Sequence, residues 1–96
     1  MEDFKVNIEE SENKGRAYIG SPADAKAEMT YSKAGSNLFI IDHTEVSEEL
    51  KGKGAGRKLL NTIVAMAREK GVKIMPLCPY AKSVFDKDAS IRDVLM

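Results

Sequence analysis

The chain has 96 residues, and its 15 Lys and Arg residues are balanced by 15 Asp and Glu, a formal net charge of zero at pH 7. That length suits one domain over residues 1–96 with a small core, and the absence of a global field argues against nucleic acid or an anionic membrane as partner. A single cysteine excludes an internal disulfide, no apolar run reaches membrane-spanning length, and Met1-Glu2-Asp3-Phe4 lacks the basic-then-apolar form of a secretory leader, so the cytoplasm is the expected location.

In chain order, residues 3–9 alternate Phe4, Val6 and Ile8 with polar neighbours and predict a half-buried strand. Glu12-Asn13-Lys14-Gly15 predicts a turn, and residues 16–20 a second strand with Tyr18 on one face and Ala17 and Ile19 on the other. After the loop signal of residues 20–24, residues 25–31 alternate again, with Ala25, Ala27, Met29 and Tyr31 on one side. Residues 38–41 are apolar on both faces, as in a central strand, and continue toward Val46. Short turns between these strands favour an antiparallel meander. An amphipathic helix is predicted over residues 55–70, with Leu59, Leu60, Ile63, Val64, Met66 and Ala67 inward and Gly71 as its stop. A short strand over residues 72–77, a helix opening at Pro79 and a last turn opened by a Ser90-x-x-Asp93 capping box complete the chain.

The stretch that breaks local rules is Leu50-Lys51-Gly52-Lys53-Gly54-Ala55-Gly56-Arg57-Lys58. Glycines precede a helix whose first N–H groups have no intrahelical partner and point forward as anion donors. Cations in that first turn oppose the helix dipole, typically by ~0.3–1 kcal/mol each, unless an anion sits there. A nucleoside-triphosphate loop needs Gly-x-x-x-x-Gly-Lys-Ser/Thr and a dinucleotide fingerprint needs Gly-x-Gly-x-x-Gly; Arg57 stands where each requires a glycine. What remains is Lys51-x-x-Gly54-x-Gly56, close to the Arg/Gln-x-x-Gly-x-Gly/Ala signature of GNAT-type N-acetyltransferases.

The order of meander, glycine loop, helix, fifth strand and further helix resembles the core of the GNAT superfamily. His43-Thr44-Glu45-Val46 before the loop and Cys78-Pro79-Tyr80-Ala81-Lys82 after the fifth strand make it similar to the minimal GNAT-like proteins. Lys51 departs from the usual Arg or Gln, and the paired helices between the first two strands and the C-terminal strand pair of larger relatives are missing. The resemblance implies an α+β fold, a mostly antiparallel sheet whose fourth and fifth strands splay. It also implies acetyl-CoA as cosubstrate, its pantetheine arm between Thr44 and Val46 on one wall and Leu77 and Cys78 on the other. The pyrophosphate would rest on the amides of Lys51, Gly52, Lys53, Gly54, Ala55, Gly56 and Arg57, with Lys58 and Lys82 as candidates for the adenosine-end phosphate.

Acetyl transfer to an amine requires a base, an oxyanion donor and an acid for the leaving thiolate. The Val46 amide is a candidate donor, His43 the candidate base with an unperturbed pKa of ~6.5, Glu45 its alternative, and Tyr80 the candidate acid. Cys78, between a strand and a helix start, either accepts the acyl group, shapes its pocket or is a small buried hydrophobe. One His, one Cys and dispersed carboxylates suggest no metal site. The expected activity is direct acetyl transfer to an amine of a small molecule or a protein. The alternatives are a non-catalytic acyl-CoA-binding module and a Cys78–His43 thiol enzyme. The chain is expected to be a monomer or weak homodimer.

Overall fold

Four alternating segments joined by short polar turns form an antiparallel meander: β1 (Asn7–Glu10), β2 (Lys14–Ser21), β3 (Asp24–Ala34) and β4 (Leu38–Val46). The chain then crosses through α1 (Ala55–Lys70), and β5 (Lys73–Pro76) adds to β4 in parallel, so the sheet order is β1-β2-β3-β4-β5. Helix α2 (Pro79–Lys87) and a 3₁₀ turn, Ala89–Val94, follow. This computed structural model describes residues 4–96.

The core lies between one face of the sheet and the helices. Leu59, Leu60, Ile63, Val64 and Ala67 recur at helical spacing along α1 and are buried against Ala17, Ile19, Ala27, Met29, Tyr31, Phe39 and Ile41 of the strands. Each large aliphatic side chain so buried contributes about 1.5–3 kcal/mol. Gly71 ends α1 in the left-handed conformation, φ 69°, and its N–H bonds back to the helix. Pro79 starts α2, whose Ala81 and Phe85 join the same core. The opposite face of the sheet, bearing Arg16, Tyr18, Lys26, Glu28 and Thr30, carries no helix among the described residues.

Two expectations need correction. The first strand begins at Asn7 rather than residue 3 (Asp3 lies outside the described residues), and Ile8 is exposed while Phe4 and Val6 pack on the core ahead of the strand. Alternation located the apolar residues there, but pairing with β2 decides where the strand starts. Tyr18 does lie on the face opposite Ala17 and Ile19, where the Arg16 guanidinium covers its ring at 4.4 Å and buries it. The last turn is capped by Asp88, which accepts from the Ser90 amide at 2.9 Å, whereas Asp93 pairs with Arg68. Asp88 displaces the Ser90 box because it already flanks the turn and reaches both the amide and the hydroxyl of Ser90.

Candidate active site

The site is organised by the place where β4 and β5 part. Their pairing runs only from Leu38 opposite Lys73 to Ile41 opposite Pro76. The amides of Leu77 and Cys78 then both donate to the Ile41 carbonyl, at 3.1 and 3.0 Å, and the chain turns into α2. Residues 42–46 of β4 keep β3 on one side and, among the described residues, no strand on the other.

A bulge lies at the same point. Thr30 is opposite His43 but Tyr31 is opposite Ile41, which leaves Asp42 as an extra residue in β4. One extra residue reverses which side chains face the helices. Phe39 and Ile41 face them before the bulge, and Thr44 and Val46 after it, while His43 and Glu45 face the open side. The Ser47 amide donates to the Lys26 carbonyl at 2.8 Å. Since antiparallel pairs alternate between bonded and unbonded, Thr44 and Val46 fall in unbonded positions against Met29 and Ala27. Their amides therefore point away from β3, into the gap.

The glycine loop closes the other end of that gap. Gly52 and Gly54 have φ of 76° and 82°, values that a Cβ disfavours. The amides of Lys51 and Lys53 already turn back onto the carbonyls of Glu48 and Leu50, at 3.3 and 3.2 Å. The first bond of α1 is donated by Lys58 to Gly54, so the N–H groups of Ala55, Gly56 and Arg57 have no helical acceptor. Gly56 has a further reason to lack a side chain: a Cβ there would lie 3.1 Å from the Tyr80 ring. Thr44, Val46, Leu50, Gly54, Gly56 and Tyr80 line a cleft of about 260 Å³.

The side chains of Arg57, Lys51 and Lys82 have partners of their own. Arg57 bonds Asn61 at 2.9 Å and Asp88, so only its amide faces the loop anions would reach. Lys51 pairs with Glu48 at 2.9 Å and Lys82 with Asp86 at 3.1 Å, both on the surface. Nothing in the sequence joins Arg57 to a carboxylate 31 positions away; the turn after α2 does.

The four candidate chemical groups divide between the two faces of β4. His43 Nε2 lies 3.0 Å from Glu45 Oε1, both exposed. Cys78 is buried and its Sγ lies 3.1 Å from Thr44 Oγ1. Cys78 and His43 thus have different partners on different faces, and the contact that a Cys–His thiol enzyme requires is not made. Tyr80 stands half-exposed in the cleft; burial raises its pKa, Arg57 opposes the rise and Cys78 adds to it. Among the described residues no cluster of His, Cys, Asp or Glu could hold a metal ion, and no helix is long and apolar enough to cross a membrane.

A family model of the GCN5-related N-acetyl-transferases matches residues 16–94. A solved GCN5-like protein from Staphylococcus aureus is 44% identical, with a TM-score of 0.75 over 94% of this chain and 87% of that one. A ribosomal-protein-alanine N-acetyltransferase from Brucella melitensis shares the fold at 14% identity, TM-score 0.65, over 80% of this chain and 62% of its own. An acetyltransferase from Vibrio fischeri does so at 14% identity, TM-score 0.57, over 71% and 63%. This chain therefore spans less than two thirds of those larger proteins. No curated protein matches it. A parted β4–β5 pair beside a glycine-led helix, with a family match across most of the sequence, places the chain in the GCN5-related N-acetyltransferase family.

Proposed function

We propose that this protein is an acetyl-CoA-dependent N-acetyltransferase in which a primary amine attacks the thioester directly. The observation that carries the reading is the gap beyond Ile41, with main-chain donors of β4 on one side and the unpaired amides of α1 at its end. Acetyl-CoA supplies the acyl group as a thioester. Ala55, Gly56 and Arg57, joined by Gly52 and Gly54, hold the pyrophosphate through N–H groups, which suits a helix N-terminus. Lys58 and Lys82 serve the adenosine-end phosphate. Thr44 and Val46 bond the pantetheine arm in the manner of an added strand.

The Val46 amide stabilises the negative charge that develops on the thioester oxygen. Glu45, bonded to His43, takes the proton from the incoming amine on the open face. As the C–N bond forms and the C–S bond breaks, the Tyr80 hydroxyl protonates the departing thiolate. Its raised pKa keeps that hydroxyl protonated at neutral pH. Cys78 shapes the cleft beside Thr44.

The test compares thermal stabilisation by acetyl-CoA, CoA, ATP and NAD, together with CoA thiol release across an amine panel. Ligand at ~100 times its dissociation constant adds ~2.7 kcal/mol of stability, and only the first two should act. Stabilisation without turnover on any amine or peptide would leave an acyl-CoA-binding module; no stabilisation would overturn the reading.

A further inference from the structure

The helix-free face of the sheet carries ion pairs over β2 and β3 but changes character at the β4–β5 end. Phe39, Ile41 and Ile74 are buried against the helices. Successive strand residues alternate faces, so Leu38, Ile40 and Met75 stand on the other face, each half-buried. Ile40 and Met75 are direct neighbours in the parallel pair. The last residues extend this row. Leu95 bridges Ile74 in parallel and packs on the core, and the Met96 amide donates to the Ile74 carbonyl at 2.9 Å. Met96 therefore falls beside Met75 and is 67% exposed, while Leu77, two residues after Met75, is 62% exposed. Together these five side chains make an apolar strip that no helix covers among the described residues.

Exposed apolar side chains that lie together, rimmed by polar ones, are the signature of an interaction surface. Two features point to a second copy of the chain. The outer edge of β5 is closed to strand addition, because the Ile74 carbonyl already accepts from Met96 and Pro76 has no N–H to give. Contact is therefore face to face. The ends of the strip also carry opposite charges, Lys73 beside Leu38 at one end and Asp42 beyond Ile40 at the other. Both bond neutral groups: Lys73 donates to the Asp93 carbonyl at 2.7 Å, and Asp42 accepts from the Ser32 hydroxyl at 2.6 Å. The Asp93 carboxylate itself is held by Arg68. A two-fold axis lying across the strands reverses their direction. It sets the Lys73 end of one copy over the Asp42 end of the other, with the apolar side chains meeting between them.

We propose that this protein forms a symmetric dimer through that strip, face to face at the β4–β5 end of the sheet. A contact of a few side chains from each copy is small, so the pair is weak and assembles at high concentration. The partner copy then stands beside the exposed His43–Glu45 pair, which follows Asp42 on the same face.

Sedimentation velocity on the full chain, from about 10 μM to about 1 mM, reads the association directly. The average mass should rise from that of one chain toward that of two. Met96→Glu puts a charge into the contact from both copies and should weaken association by roughly tenfold or more, with the melting temperature unchanged. Met75→Gln, which adds no charge, should weaken it in the same direction. Lys73→Glu and Asp42→Lys should each reduce self-association, since each sets like charges together at both ends of the pair. An equimolar mixture of those two variants should associate again, because every end then meets its opposite. A parent that stays monomeric over the whole range, association indifferent to Met96→Glu and Met75→Gln, or a mixture no better than its components would overturn the proposal.

Discussion

Thr44 Oγ1 and Cys78 Sγ lie 3.1 Å apart across the mouth of the gap between β4 and β5. The contact joins β4 to the segment between β5 and α2, just past the last pair the two strands share. Because the bulge at Asp42 turns Thr44 toward the helices, this buried pair and the exposed His43–Glu45 pair are kept on opposite sides of one strand.

That separation makes Cys78→Ala informative. Removing a small buried side chain should cost about 1 kcal/mol through the cavity left behind, seen as a lower melting temperature. With direct attack by the amine, acetyl-CoA binding and the rate of CoA release should stay close to those of the parent. Loss of all turnover, with labelled acetyl found on Cys78 of the parent, would replace direct attack by a covalent route.

Tyr80→Phe should keep the ring against Gly56 and remove only the proton donor. General acid catalysis typically contributes 10²–10⁴-fold, so kcat should fall within roughly that range while acetyl-CoA stabilisation is retained. Unchanged kcat in steady-state assays would remove Tyr80 from the chemistry.

Gly54→Ala and Gly56→Ala probe the loop for different reasons. At φ 82° a Cβ on residue 54 should cost ~1–2 kcal/mol of stability, or roughly 4–16 °C in melting temperature. At residue 56 the backbone is helical, so alanine should leave stability nearly unchanged but push the Tyr80 ring aside. The expected result is a weaker response to acetyl-CoA, checked by titration of Tyr80 ring signals.

Gly15→Ala should be worse than either. A Cβ there would overlap the fully buried Tyr31 ring, whose hydroxyl donates to Glu10. Burial first and then that bond hold the Tyr31 proton on, raising its pKa. The ring cannot retreat into a filled core, and overpacking typically costs 1–3 kcal/mol; urea denaturation measures it.

Asp88 predicts an acid-side transition. Hydrogen bonds from Ser90 and from Arg57 lower its pKa to about 2. A depressed carboxylate adds stability that is complete above its unfolded value, ~3.9, and is lost as pH falls through the folded one. Stability of the parent should therefore drop between about pH 4 and pH 2, and Asp88→Asn should flatten that part of the curve in pH-dependent melts. An equal slope in both proteins would mean that other carboxylates carry it.

The element order, the helix from Ala55 to Lys70 and the inward side chains of β3 were all readable before folding, because 3.6- and 2-residue periods and glycine stops are local properties of the chain. The glycine loop was legible for the same reason: its rule-breaking residues are contiguous. Folding alone reveals that Asp42 is a bulge, that Arg57 turns to Asp88, that Gly56 makes room for Tyr80, and that Glu28 stands opposite Glu45. Each of these depends on register or packing between segments far apart in the chain. A one-residue slip reverses a strand's faces without changing its composition, so no local pattern could assign His43 and Cys78 to different sides.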